Sequence, residues 1–274
     1  MLTNQQLEEI KELQKECESA DEIQLKLNWD MLQERSSREI TDFFHFEDGV
    51  LVGFLGLYGF GNKVELCGMV KPDYRRKGIF TKLFSEAMNV IEKRGFAEIL
   101  LNAPTNSSFA KSFLRTVTCD YAFTEYQMQW QKKELCYSDE VSVRPSTSDD
   151  LEDEILLDIK CFGLDEAGAR EFNLQMRQYQ SEEFYIIEQE GQTVGKIRVS
   201  HLNEEAWIFG FCVDPEYQGK GIGRRVLTNI VLIEKQKGYP IFLEVEANNL
   251  NALGLYESCG FQSYYSQDYY TYNK

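Results

Sequence analysis

The sequence predicts a mixed α/β fold built twice: two tandem domains, each a mostly antiparallel mixed sheet flanked by helices. Three observations predict it. Sliding the chain on itself by about 143 residues lays Val70 on Val213, Pro72 on Pro215, Tyr74 on Tyr217 and Lys77-Gly78-Ile79 on Lys220-Gly221-Ile222 in one register. Each copy passes from stretches of period two to one long stretch of helical period in the same order. The 274 residues suffice for two domains of ordinary size, each with its own core.

The elements follow in order. In the first copy "TDFFHFEDGVLVGFLGLYGF" reads as a hairpin and "KVELCGMV" as a strand, while Ile79, Leu83, Phe84, Ala87 and Ile91 fall on one helical face. The junction lies near "YSDEVSVRPSTSDDLED": Val141 to Arg144 is strand-like and ends at Pro145, and Ser148 or Asp149 is expected to cap a helix beginning at Leu151. The domains are therefore expected at 1–138 and 139–274. In the second copy "EFYIIEQEGQTVGKIRVSHL" reads as two strands joined at Glu190-Gly191, and "AWIFGFCV" as a third, halted where Pro215 removes a donor. Ile222, Val226, Leu227, Ile230 and Ile233 form a helical face ended by Gly238. Then come the strand "IFLEVEA", the short helix "NLNALGLYESCG" and aromatic strands in "FQSYYSQDYYTYNK".

Composition narrows the function. Hydrophobic residues at 43% and charged ones at 27% describe a folded soluble chain. No run has the length of a membrane span and the start lacks a signal peptide's basic flank, so a cytoplasmic protein away from membranes is expected. Seven cysteines without a CxxC pair read as reduced thiols, and with His45 and His201 the only histidines, no metal site is expected. A net charge of −16 argues against nucleic acid and favours a cationic substrate.

The stretch "VDPEYQGKGIGRRVL" carries the chemistry. A loop running from a strand into a helix aims unpaired N–H groups at one spot, and glycines at 219, 221 and 223 keep side chains out of it, which suits a pyrophosphate. A P-loop is excluded by spacing and by the missing hydroxyl. A dinucleotide loop would want glycine where Arg224 stands, and would follow the first strand of its unit; Glu244 and Glu246 keep that alternative open in weakened form.

At these residues the chain resembles the GNAT superfamily of acyl-CoA-dependent N-acetyltransferases. Gln218-Gly219-Lys220-Gly221-Ile222-Gly223 is similar to its Q/R-x-x-G-x-G/A signature, and Asn249, Ala252, Leu255-Tyr256-Glu257-Ser258 and Gly260-Phe261 to its second motif. The resemblance covers residues 140–274 well and the first half more weakly. It implies that the amides of the loop, from Gln218 to Arg224, hold the pyrophosphate of acetyl-CoA. It also implies that the strand edge at Phe211, Cys212 and Val213 pairs with the pantetheine arm and receives the thioester oxygen, that Asn249 contacts that arm, and that Tyr256 protonates the departing thiolate. The segment "LEVEANNLNALGLYESCGF" further resembles the branch that acetylates protein N-terminal amines, in which a glutamate at the position of Glu244 is the base.

Chemistry supports the pair independently, since an ammonium must lose a proton before it attacks a thioester and a thiolate leaves more easily beside a phenol. Glu246, Glu204 and Glu205 remain alternative bases. In the ungapped register Phe80 replaces Gly223, Leu101 replaces Glu244 and Phe113 replaces Tyr256, so the first domain is expected to be structural or regulatory, with or without coenzyme A. The expected function is acetyl transfer to the primary amine of a small molecule or peptide by direct transfer in a ternary complex, in a monomer or homodimer. Two rivals are an acyl-CoA-binding regulatory module, against which Glu244 and Tyr256 speak, and a tRNA-dependent aminoacyl transferase, which the acidity disfavours.

Overall fold

The computed structural model of the chain describes residues 2–33, 35 and 39–273. Its first half opens with helix α1 (Asn4–Asp21), started by a capping box between Thr3 and Gln6, and a single turn α2 (Trp29–Gln33). Strands β1 (Asp42–Glu47), β2 (Val50–Phe60) and β3 (Lys63–Val70) form an antiparallel meander. Helix α3 (Ile79–Arg94) crosses over to β4 (Glu98–Pro104), which runs parallel to β3. Helix α4 (Ser108–Leu114) and the long β5 (Cys119–Trp130) follow.

The second half repeats the plan. Strand β6 (Ser142–Pro145) leads to α5 (Leu151–Phe162) and α6 (Glu166–Met176). Strands β7 (Glu182–Gln189), β8 (Gln192–Leu202) and β9 (Glu205–Val213) are antiparallel neighbours, and β6 flanks β7. Helix α7 (Ile222–Lys237) crosses to β10 (Ile241–Glu246), parallel to β9, and the chain closes with α8 (Leu250–Cys259) and β11 (Phe261–Tyr272). The two tandem mixed sheets are those the repeat predicted. Among the described residues no helix is long and apolar enough to cross a membrane.

Two details depart from expectation. The compact units are Met1–Thr124 with Gln267–Lys274, and Glu125–Ser266, rather than a cut at 138. The reason is the pairing of two strand ends: Glu125 to Gln129 of β5 bond to β10, and Gln267 to Thr271 of β11 bond to β4. The second unit thus begins within β5, and the first takes the end of β11 from the far part of the chain. The cap before α5 also differs, because Thr147 accepts from the Asp149 N–H and heads a turn of 3-10 helix over Ser148–Asp150.

In each unit the helix that crosses over to the parallel strand covers one sheet face. Leu83, Ala87 and Ile91 of α3 pack on Val64, Leu66, Ile99 and Leu101; Val226, Leu227 and Ile230 of α7 pack on Ile208, Ile241, Leu243 and Val245. Each of these valine, leucine and isoleucine side chains, nearly or wholly withdrawn from water, contributes about 1.5–3 kcal/mol. Strand β9 carries a bulge at Gly210, where φ is 55° and the ladder to β8 shifts between Lys196 and Arg198. Before it Ala206 and Ile208 face the α7 core; after it Phe211 and Val213 do. Trp207 and Phe209 therefore look out from the opposite face.

Candidate functional site

Strands β9 and β10 are bonded only from Ala206 to Ile208 and Ile241 to Leu243, then part. The loop from Asp214 to Gly221 enters α7 beside that gap. Gly219 (φ 75°) and Gly221 (φ 80°) both take left-handed backbone, which any other residue adopts at a cost, and Gly221 caps α7 with no side-chain hydrogen bond. The first N–H groups of a sixteen-residue helix are therefore left without a side-chain cap beside bare backbone. A Cβ on Gly223 would come within 3.3 Å of Leu255, so this glycine lets α7 and α8 approach.

The expected cofactor residues fall into two kinds. Gln218 turns back to brace the loop, Nε2 donating to the Val213 carbonyl at 2.9 Å. Lys220 lies over the Tyr217 ring, Arg224 is exposed, and Ile222 points into the core, leaving only its main chain to the loop. Phe211 and Val213 pack against the same core, and Cys212 is buried. Asn249 caps α8, its side chain accepting from the Ala252 N–H at 3.1 Å. Arg225, which composition did not single out, holds the loop: its guanidinium donates to the Lys220 carbonyl at 2.9 Å and pairs with Glu140 at 2.7 Å.

Tyr256 is buried on α8, and that burial, reinforced by the neighbouring Cys212, pushes its phenol up to about 12. It is protonated at neutral pH and able to donate. A hydrogen bond with Cys161 and burial hold the Cys212 thiol well above its ordinary value, so it is a poor nucleophile. Glu244 follows the last β9–β10 pair and projects to the face away from α7, where Gln127 of β5 donates to it at 2.9 Å. Gln127 went unnoticed in the sequence because only the strand pairing places it there. Burial, then the charges of Glu244 and Glu205, raise the Tyr264 phenol above its usual range.

These residues fit a pyrophosphate-bearing thioester cofactor. The uncapped helix start and two left-handed glycines would receive the phosphates, and the strand edge of β9 beyond Ile208 is open toward β10 for an extended arm.

The first unit has the matching crevice between β3 and β4, with a cavity of about 390 Å³ lined by residues including Arg75, Gly78, Phe80, Asn102, Phe109 and Phe113. Its equivalences correct the ungapped register. The turn after the helix is one residue shorter in the second unit, running Gly238 to Ile241 against Gly95 to Ile99, both ending on core residues. Ser107 then matches Asn249, each capping its helix through the third residue on. Asn102 therefore stands where Glu244 does, and Leu114 where Tyr256 does, instead of Leu101 and Phe113. Neither Asn102 nor Leu114 is able to transfer a proton.

One cluster escaped the search for metal ligands by spacing. Glu183, His201 and Glu234 bring ligand atoms within 4.8 Å of one another from three elements. Lys237 bonds both carboxylates at 2.9 and 3.0 Å, so one cation already stands between them.

Comparison with known proteins agrees with this geometry. Residues 5–114 and 152–261 match the acetyltransferase (GNAT) family. Over 59 residues the chain is 44% identical to the [ribosomal protein bS18]-alanine N-acetyltransferase of Escherichia coli, covering 21% of this chain and 40% of that protein. Over 62 residues it is 39% identical to the spermine/spermidine N(1)-acetyltransferase of Bacillus subtilis, covering 22% and 41%. The matched segment thus spans about two fifths of these relatives' length. Among solved structures, a GCN5-related N-acetyltransferase from Sphaerobacter thermophilus aligns over 96% of this chain and 91% of its own with a TM-score of 0.75 at 15% identity. A tandem GNAT protein from the clavulanic acid biosynthesis pathway aligns over 99% and 96% with a TM-score of 0.70 at 14% identity. At such identities these two show the fold.

Proposed function

The chain belongs to the acetyltransferase (GNAT) family, and from that premise we propose that it moves an acetyl group from acetyl-CoA to a primary amine, with the second unit doing the chemistry. The observation that supports this is the uncapped start of α7 beside the β9–β10 gap, with a carboxylate one residue past the last β9–β10 pair and a buried protonated phenol on α8. Acetyl-CoA supplies an activated acyl carbon and a thiolate leaving group. The loop from Gln218 to Arg224 would bind its phosphates, and the edge from Phe211 to Val213 its arm. Glu244 takes one proton of the arriving ammonium; the amine nitrogen then bonds to the acyl carbon as the carbon–sulfur bond breaks, Tyr256 gives its proton to the sulfur, and the surplus proton on the acylated nitrogen leaves through solvent, which reprotonates the phenol. Such acid and base assistance contributes about 10²–10⁴-fold each. The raised thiol of Cys212 favours direct transfer over a covalent relay through that residue.

Identity to the alanine N-acetyltransferases favours a protein N-terminus as a second reading of the acceptor. The first unit keeps a cavity but has Asn102 and Leu114 at the two proton-transfer positions, so we assign it ligand binding or support without transfer. Calorimetric titration of acetyl-CoA, with Gly221→Glu as control, and amine-dependent release of the coenzyme thiol test the reading. Absence of both binding and thiol release would end it.

A further inference from the structure

We propose that Cys161 and Cys212 form a modification site, a thiol pair that a peroxide closes into a reversible disulfide between α5 and β9. Both are free thiols in the structure. Phe211 and Val213 pack on the α7 core, so Cys212 between them faces the other side of the sheet. Lys196 of β8 stands directly across from Cys212 on that side, and its ammonium reaches Asp158 of α5 at 2.6 Å. Cys161 follows Asp158 by three residues and shares its helix face, which sets the second thiol over the same strand pair. There Cys161 Sγ donates to the carbonyl of Val213, the residue after Cys212, at 3.8 Å.

The two thiols are unequal, as an attacking and a resolving thiol must be. A hydrogen bond from Cys212 holds the Cys161 thiol below its ordinary value, while that same bond and burial hold Cys212 above. Cys161 is half-buried, and Cys212 is 8% exposed. The Cys161 thiolate bonds to one peroxide oxygen as the O–O bond breaks, and the leaving hydroxide takes up the thiol's proton as water. The Cys212 sulfur then bonds to the sulfenic sulfur, and the displaced hydroxide leaves as water with the Cys212 proton. The thiols give up two electrons and the peroxide becomes two waters.

The repeat supplies its own control. Cys17 of α1 donates to the Val70 carbonyl at 3.4 Å, as Cys161 does to Val213. Yet Met69 stands where Cys212 does, and burial pushes the Cys17 thiol up to about 11. This helix thiol should therefore stay reduced. In the second unit the disulfide draws α5 toward β9 and removes the S–H that the Val213 carbonyl accepts. On the transferase reading above, that edge receives the arm of acetyl-CoA. The oxidised chain should therefore bind acetyl-CoA about tenfold more weakly, the effect of one lost hydrogen bond.

The test treats the reduced full chain with hydrogen peroxide and maps its cysteines by peptide mass spectrometry, with Cys136→Ser present to remove the exposed thiol. The expected product has lost two hydrogen atoms, joins 161 to 212, keeps Cys17 as a thiol and returns to the starting mass with dithiothreitol. Cys161→Ser should leave Cys212 reduced, whereas Cys212→Ser should let Cys161 pass on to the sulfinic acid. An unreacted Cys161, a bond from it to any other cysteine, or Cys17 oxidised as fast would each overturn the proposal. Calorimetry of acetyl-CoA on the reduced and oxidised chains reads the consequence, and equal affinities would overturn the link to the cofactor. If the reduced chain binds no acetyl-CoA, the transferase reading falls alone, and the mapped bond still decides the site.

Discussion

The loop from Val70 to Phe80 and the loop from Val213 to Gly223 have the same backbone and different chemistry. Lys71 and Asp214 share φ near −50° and ψ 132°, Arg75 and Gln218 share ψ 162°, and Gly78 and Gly221 share φ 80°. Even the brace is repeated, since Arg75 Nε donates to the Val70 carbonyl at 2.9 Å as Gln218 Nε2 does to Val213. Yet Arg76, at φ 61°, does the work of Gly219. The aromatic ring also changes carrier: Phe211 on the strand faces Gly223 on the helix in one unit, and Gly68 on the strand faces Phe80 on the helix in the other. The frame of strand and helix, rather than the glycine count, sets the loop's path. The difference at the proposed proton-transfer positions is Asn102 and Leu114 in the first unit against Glu244 and Tyr256 in the second.

The largest test of that division removes the chemistry from the second unit. Tyr256→Phe should lower kcat by about 10²-fold or more while acetyl-CoA affinity, read by calorimetry, stays within about twofold. Since the Tyr256 phenol is pushed up to about 12, the wild-type rate should show no alkaline loss from this group between about pH 7 and 10. A fall there would reassign the acid. Next, Gly221→Glu should weaken acetyl-CoA by at least about tenfold through repulsion and backbone strain, whereas Gly78→Glu should leave turnover intact. Loss of turnover in the latter would mean that the first unit takes part in transfer.

Smaller effects probe the frame. Phe80 meets Phe113 edge-on at 4.7 Å, so Phe80→Ala should cost the chain about 1–3 kcal/mol in urea unfolding, read as a lower midpoint. Arg76→Gly should relieve the left-handed backbone and stabilise by up to about 1 kcal/mol; a loss of stability instead would show that the Arg76 side chain holds the loop.

Much of this was legible from the residues alone. The repeat, the helix faces and the glycine loop depend on local periodicity and turn chemistry, which a sequence displays directly. The unit boundary was not, because the partners of β5 and β11 lie far along the chain and edge pairing leaves no local trace. The site divides in the same way. Gly221 and Tyr256 could be singled out by type and spacing, but Gln127 reaches Glu244 only through strand pairing, and the register at Glu244 slipped because a turn had lost one residue. The bulge at Gly210, which turns Phe211 toward the core, was hidden as an ordinary glycine in an apolar strand.

The exchanged strand ends also bear on the order in which the chain is made. Residues 267–271 of β11 complete the sheet of the first unit, so that unit waits for nearly the whole second one to be synthesised. At ~5–20 residues per second the delay is roughly 7–30 s, during which the edge of β4 stays unpaired. The second unit, whose borrowed strand β5 precedes it, has every piece of its sheet as soon as residue 266 appears. The second unit can therefore complete its sheet before the first does.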